Sequence, residues 1–217
     1  RTEVEAHQNL IDRNIQNKTV LITGAGGSIG SEISRQVAKN NPKKVILLDS
    51  NEYSLFSIKN EIDKIAPELN IYTVLASITN EERMTEIFKV FKVDTVYHAA
   101  AYKHVSLVEE NPFEAVSNNI FGTKICLESS INSEVETFVL ISTDKAVRPT
   151  NIMGATKRFA ELILQSIPSN SKTKVTMVRF GNVIGSSGSA IPLFKKQIKE
   201  GGPVTVTHPE VIRYFMS

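Results

Sequence analysis

Thr19-Val20-Leu21-Ile22-Thr23-Gly24-Ala25-Gly26-Gly27-Ser28-Ile29-Gly30 is the stretch that decides the fold. Its first four residues form a continuous apolar run, the pattern of a strand buried on both faces. Gly24, Gly27 and Gly30 follow at three-residue intervals, and a helical pattern starts in their midst, running from about Ser28 to Asn40. Such a turn needs a residue without Cβ, then a backbone that can touch a pyrophosphate, then close packing of helix on sheet. The helix N-terminus adds free N–H groups and the positive end of a dipole. Gly24, Gly27, Ser28, Ile29 and Gly30 are therefore assigned to a dinucleotide. A glycine-rich loop alone says little; between a buried strand and a helix it is specific.

Outward from this loop, strands and helices alternate. Val45–Leu48, Ile71–Leu75, Thr95–His98, Phe138–Ile141 and Lys174–Phe180 read as further strands. The helical patterns between them cover about 55–65, 81–91, 112–130 and 155–167. Regular βα alternation with apolar strands predicts a parallel, doubly wound α/β sheet of the Rossmann type, with helices on both faces. Residues 1–16 read as a polar, weakly helical lead-in, 17–180 as the cofactor-binding domain, and 181–217 as the start of an incomplete, loop-rich substrate lobe.

Asp49 ends the second strand, 25 residues after Gly24. A carboxylate there binds both hydroxyls of an adenosine ribose and repels a 2′-phosphate, and no arginine follows it, so NAD is favoured over NADP. Capping of the next helix is the competing role for Asp49. Ser77 and Ile78 end the third strand, where an adenine would lie; Ser77 serves either the base or a helix cap. Ligands of open parallel sheets sit beyond the carboxyl ends of the strands. Two clusters fall there: His98-Ala99-Ala100-Ala101-Tyr102-Lys103-His104 and Ser142-Thr143-Asp144-Lys145. The small Ala99, Ala100 and Ala101 let a cofactor approach, and His98 reads as a hydrogen-bonded strand-end residue.

Bulk properties are those of a globular protein: 217 residues, 41% hydrophobic, 22% charged, net charge +2. That charge argues against nucleic acid or a membrane surface as partner. The single Cys126 falls in a helical pattern and reads as a buried thiol, compatible with a reducing compartment. The histidines lack metal-ligand spacing, so no metal is expected. Neither a signal peptide nor a membrane-crossing run occurs, and a cytoplasmic setting is expected. The chain opens on Arg1 and closes on Tyr214-Phe215-Met216-Ser217 without turn or cap, as a piece of a longer protein would.

With these residues in hand, the chain resembles the extended short-chain dehydrogenase/reductases. Within them it is similar to the membrane-linked UDP-N-acetylglucosamine 4,6-dehydratases of capsular and O-antigen polysaccharide biosynthesis. The segments Thr23–Gly30, His98–His104, Asn118–Thr123, Ser142–Glu161, Arg179–Val183, Thr205–Pro209 and Arg213–Met216 carry the resemblance, and Thr143 through Asn151 is specific to the subgroup. It implies hydride transfer from sugar C4 to NAD, loss of the C5 proton and the 6-hydroxyl, and return of hydride to C6. By position, Thr143 would bond O4, Asp144 would protonate the leaving hydroxyl, Lys145 would serve at C5, and Lys157 would hold the nicotinamide ribose. Met153 stands four residues before Lys157, where the wider superfamily has tyrosine; a thioether takes no proton, so Asp144 through water, Lys145 or a bound hydroxide must accept the O4 proton, and the Asp144–Lys145 pair is expected to carry the acid–base work. Asn182 and Arg213 would meet the diphosphate, Thr205 and Thr207 would lie on a strand along the uridine, and Lys103 and His104 would face the sugar. A homo-oligomer and a membrane-anchored parent protein are expected. A UDP-sugar 4-epimerase and a non-catalytic nucleotide-binding domain are the competing functions.

Overall fold

The computed structural model describes residues 7–184, 190–206 and 215–216. Six strands form one parallel sheet: β1 (Thr19–Thr23), β2 (Lys44–Asp49), β3 (Ile71–Leu75), β4 (Thr95–His98), β5 (Thr137–Thr143) and β6 (Lys174–Phe180). Their spatial order is β3-β2-β1-β4-β5-β6. This is the doubly wound Rossmann arrangement expected from the alternating pattern. The order reverses between β1 and β4, whose ends meet at the Thr23–His98 register pair. A crevice opens at such a reversal because the chain leaves the two strands toward opposite faces.

Helices α1 (Gln8–Ile15), α2 (Ser28–Ala38), α3 (Glu52–Ile65) and α4 (Glu81–Phe91) precede β1, β2, β3 and β4 respectively. The segment from β4 to β5 holds α5 (Val105–Glu110), α6 (Pro112–Ala115), a π-helical turn (Val116–Phe121) and α7 (Gly122–Asn132). A 3-10 turn (Asp144–Ala146) and α8 (Ile152–Gln165) link β5 to β6. Beyond β6 lie β7 (Asn182–Val183), α9 (Ala190–Lys199) and β8 (Phe215–Met216), with β7 and β8 paired in parallel.

Burial explains why the strands were readable. All five residues of β1 are buried, as are the four central residues of β2. Apolar clusters fill both sides of the sheet, one around Leu21, Phe88 and Phe138, the other around Ile22, Leu47 and Ile62. Each such side chain, when fully buried, contributes about 1.5–3 kcal/mol.

The helix expected over 112–130 is present without a gap from Pro112 to Asn132, as α6, a π turn and α7, with Asn119 buried (0% exposed) in the wider turn. Two expectations need correction. The loop-rich reading beyond Gly181 missed α9, whose apolar residues are outnumbered by glycines and serines on its flanks. Thr205 lies in no strand; its N–H donates to Gln197 Oε1 (3.1 Å) and its hydroxyl accepts from Gln197 Nε2 (2.7 Å), which ties it to α9. Thr207 and Arg213 lie outside the described residues.

The lead-in is anchored. Ile15 is buried in the second cluster, and Thr95 Oγ1 donates to Asn14 O at 2.7 Å. No helix among the described residues is long and apolar enough to cross a membrane.

Candidate active site

The glycine loop is shaped by close contacts. Gly24 has φ +65°, and a Cβ there would sit 2.7 Å from Ala100 N. A Cβ on Gly30 would lie 2.0 Å from Gly24 O, so α2 seats on the loop only with glycine at that point. Gly27 stands at the N-terminus of α2 and gives it no side-chain cap; such an end, with free N–H groups, suits an anion. Asp49 does not cap α3: Asn51 does, accepting from Ser54 N at 2.8 Å. Instead the Asp49 carboxylate accepts from Gly26 N (2.8 Å) and Asn51 N (2.9 Å), bracing the loop from β2. Likewise α4 is capped by Asn80, which frees Ser77; its hydroxyl pairs with Thr79 Oγ1.

A cavity of about 350 Å³ collects Gly24, Gly27, Asp49, Ser77, Ile78, Ala99, Ala100 and Ala101. A second, of about 480 Å³, shares Gly24, Gly27, Ala99 and Ala101 with the first and adds Ser28, Ile29, Gly30, Lys103 and His104. Every residue assigned to the cofactor from the sequence except Lys157 thus lines one of two adjoining cavities.

His98 is not a proton carrier. Its Nδ1 meets Thr23 Oγ1 at 2.7 Å and its Nε2 meets Thr123 Oγ1 at 3.0 Å. Thr123 gives its proton to Asn119 O (2.7 Å), so Nε2 carries the hydrogen and Nδ1 accepts from Thr23. Burial, with the Lys157 charge nearby, pushes its pKa down to about 3. The imidazole is a neutral strut between β1, β4 and α7.

Asn119 holds a post that sequence reasoning missed. Its Oδ1 accepts from Tyr102 N (2.8 Å), while its Nδ2 donates to Tyr102 O (3.0 Å) and Thr156 Oγ1 (3.0 Å). One buried amide therefore clamps the segment before Lys103 and His104 and ties it to α8. The signal was the Asn118–Thr123 segment among those that carry the resemblance, and spacing says nothing of its partners.

At the carboxyl end of β5, Thr143, Asp144 and Lys145 converge. Thr143 Oγ1 donates to Asp144 Oδ1 at 2.9 Å, and Lys145 Nζ donates to the same oxygen at 3.0 Å. Lys145 also reaches Asn182 Oδ1 on β7 at 3.5 Å. Burial raises the Asp144 carboxyl, but hydrogen bonds from Lys145 and Thr143 and the Lys145 charge more than offset it, holding it below the usual carboxylate range. The carboxylate is therefore ionised at neutral pH. Neither cavity is lined by Thr143, Asp144 or Lys145.

α8 supplies Met153 and Lys157. Asn151 caps it, accepting from Gly154 N at 2.7 Å, and Glu109 Oε1 accepts from Ile152 N at 2.7 Å. Met153 is 3% exposed and packs in a small apolar cluster with Val108 and Ala115. Lys157 is buried, its Nζ donating to Ile141 O at 2.8 Å; burial lowers its pKa to about 8, with the Glu161 carboxylate pulling the other way.

The position of α8 against the sheet rests on Glu161, also missed from sequence. Its fully buried carboxylate accepts from Ser142 Oγ (2.6 Å), from Arg179 Nε (2.8 Å) and Nη2 (2.5 Å), and from Arg158 Nη1 (3.1 Å). Burial raises its pKa, but hydrogen bonds from Arg179, Ser142 and Arg158 bring it down to about 2.

The profile of the family described as "Polysaccharide biosynthesis protein" matches residues 20–217. The chain belongs to this polysaccharide biosynthesis family. Over its whole length it is 57% identical to the capsular polysaccharide biosynthesis protein CapD of Staphylococcus aureus, of which it spans 37%. It is 37% identical to a UDP-glucose 4-epimerase of Rickettsia akari, over 93% of this chain and 59% of that protein. It is 33% identical to a UDP-N-acetylglucosamine 4,6-dehydratase (inverting) of Campylobacter jejuni, over 92% of this chain and 60% of that one. Among solved structures, Pen from Bacillus thuringiensis matches with a TM-score of 0.86 at 41% identity, covering 93% of this chain and 64% of that chain. The family match runs through both cavities, the β5 cluster and α8. This polysaccharide biosynthesis family member thus spans little more than a third of its CapD relative.

Proposed function

We propose that the chain is the cofactor-binding and catalytic core of an NAD-dependent enzyme that dehydrates UDP-N-acetylglucosamine to a UDP-4-keto-6-deoxy sugar for polysaccharide biosynthesis. The observation that carries this reading is the convergence of the Thr143 hydroxyl and the Lys145 ammonium on one oxygen of Asp144. The Campylobacter jejuni relative, named as such a dehydratase, supports it. The uncapped end of α2, the close Gly24–Ala100 approach and Asp49 beside the first cavity fit NAD. Lys157 would hold its nicotinamide ribose. NAD held there would supply a hydride acceptor for C4 and a hydride donor for C6.

The chain's own groups balance the protons. Asp144, ionised at the start, accepts the O4 proton through the Thr143 hydroxyl. Lys145, once its ammonium has released a proton to solvent, takes the proton from C5, which a 4-keto group makes acidic. Asp144 then gives its proton to the departing 6-hydroxyl, which leaves as water. Lys145 returns that proton to C5 and regains one from solvent, and the site ends as it began. Met153 takes no part in proton transfer. Asn182, beside Lys145, would orient the substrate near the diphosphate, and Lys103 and His104 the sugar.

The Rickettsia relative, named as an epimerase, favours a second reading, epimerisation at C4. Incubating the full-length polypeptide with NAD and UDP-N-acetylglucosamine separates the two. Mass loss of one water, with a new 6-methyl signal by proton NMR, supports dehydration; a product of unchanged mass overturns it.

Gly154 offers a sharper check on the β5 cluster. A Cβ there would lie 2.3 Å from Lys145 O, so Gly154→Ala must displace the turn that holds Asp144 and Lys145. A displacement on the order of 1 Å costs about 100-fold in rate. Turnover is expected to fall by about that factor while NAD affinity, measured by titration, stays at the wild-type value.

A further inference from the structure

The net charge of +2 hides an uneven distribution. Strand starts and helix ends meet at the amino edge of the sheet, opposite the cavities and the β5 cluster. There Lys43 N donates to Lys18 O (2.8 Å), Val45 N to Asn70 O (3.0 Å) and Asp94 N to Thr19 O (2.9 Å), so the starts of β1 to β4 form one continuous rim. At the corner where α3 and α4 end and β2 and β3 begin, this rim carries Lys43, Lys44, Lys64, Lys89 and Lys92. All but Lys44 are exposed, and none of those four forms an ion pair among the described residues. Of the acids nearby, Asp63 is paired with Lys59 and Asp94 accepts from Thr19 N, which leaves Glu68 against the lysines. At the opposite end, the first turns of α3 and α4 are acidic, with Glu52, Glu81 and Glu82.

A lysine in the last turn of a helix complements the dipole, which accounts for Lys64 and Lys89. It accounts neither for Lys43 and Lys44, which end no helix, nor for the apolar side chains among the lysines. Ile65 follows Lys64, Val90 follows Lys89, and both are exposed. Tyr72 is exposed as well; its ring centroid lies 5.1 Å from that of Phe91, and Lys44 Nζ lies 6.0 Å from it. Apolar side chains that stand in water among cations match a partner anionic at its surface and apolar just beneath. A bilayer with acidic headgroups has that layering. A nucleic-acid backbone offers phosphates but no seat for Ile65 and Val90.

We propose that this corner rests on an anionic lipid surface, with the lysines on the phosphates and Ile65, Tyr72 and Val90 in the headgroup layer. The lead-in lies at the same edge, where the Thr95 and Thr137 hydroxyls donate to Asn14 O (2.7 Å) and Oδ1 (3.0 Å). The cavities and the Thr143–Lys145 cluster open at the other ends of the strands. The site therefore faces away from the lipid, toward water and a soluble substrate. This surface does not depend on the reaction proposed above.

The test is amine labelling of the full-length polypeptide, read lysine by lysine by mass spectrometry, on vesicles of phosphatidylcholine alone or mixed with phosphatidylglycerol. A lysine held beside an acidic lipid surface favours that contact by about fivefold, an effect confined to a Debye length. Labelling of Lys43, Lys64, Lys89 and Lys92 is expected to fall by about that factor on the acidic vesicles and to recover in high salt. Lys124, exposed on α7, is expected to label at one rate throughout. The double variant Lys43→Gln/Lys92→Gln is expected to lose the protection at Lys64 and Lys89 while NAD affinity stays at the wild-type value. Equal labelling on the two kinds of vesicle overturns the proposal, as does equal protection of Lys124 and the corner. Protection by soluble polyphosphate or duplex DNA to the same degree also overturns it, since phosphate without an apolar layer would then suffice.

Discussion

Asp144→Asn is expected to lower formation of the 4-keto-6-deoxy product by about 10³-fold, within the span that a positioned general acid–base group contributes. The substitution keeps shape and size, and the amide oxygen still accepts from Thr143 Oγ1 and Lys145 Nζ, now 2.9 and 3.0 Å from Asp144 Oδ1. What it removes is the capacity to take and return a proton. The loss should therefore fall on kcat, with UDP-sugar and NAD affinities near the wild-type values. Because the Asp144–Lys145 pair is roughly one-third exposed, the variant should unfold within about 1 kcal/mol of wild type. Product formation at the wild-type rate would remove Asp144 from the chemistry and leave Lys145 as the only titrating group of the turn.

Glu161→Ala addresses the scaffold. The carboxylate is fully buried, and its removal strands Ser142 Oγ and the Arg179 guanidinium. Breaking a buried pair by deleting one partner costs about 3–5 kcal/mol; Arg179 is partly exposed and can rehydrate, so the lower end is expected. Urea unfolding at neutral pH measures it. The same residue sets an acid limb. Its pKa falls from 4.5 in the ordinary state to about 2 in the fold. Its contribution is therefore complete above about pH 4.5 and is lost as pH falls from there toward 2. Wild type should lose stability across that window more steeply than Glu161→Ala. Identical urea midpoints for the two proteins at pH 7 would show that the network does not hold α8 to β5 and β6.

Much of this was legible in the chain itself, for reasons that differ from residue to residue. Parallel strands buried on both faces read as unbroken apolar runs, so β1 and β2 stood out directly. Gly24 and Gly30 were legible because a tight turn and a close helix leave no room for Cβ, a demand visible as spacing. The Thr143-Asp144-Lys145 cluster was legible because its members are consecutive and the 3-10 turn folds them together locally. α9 was missed because its flanks dominate the composition, and a strand at Thr205 was inferred where Gln197 instead binds that residue to the helix.

The amino-acid sequence alone determined the doubly wound fold, the glycine loop, and the consecutive Thr143-Asp144-Lys145 cluster. These are properties of local backbone demand and of burial, and both leave a periodic trace. Only the tertiary structure decided that Asp49 braces the loop through Gly26, that Asn119 clamps Tyr102, that Glu161 joins Ser142 to Arg179, and that Met153 sits in an apolar seat beside Val108. Each depends on groups brought together from distant or unspaced positions. A polar side chain's partner is chosen by where the sheet and helices place it, and no spacing along the chain encodes that choice.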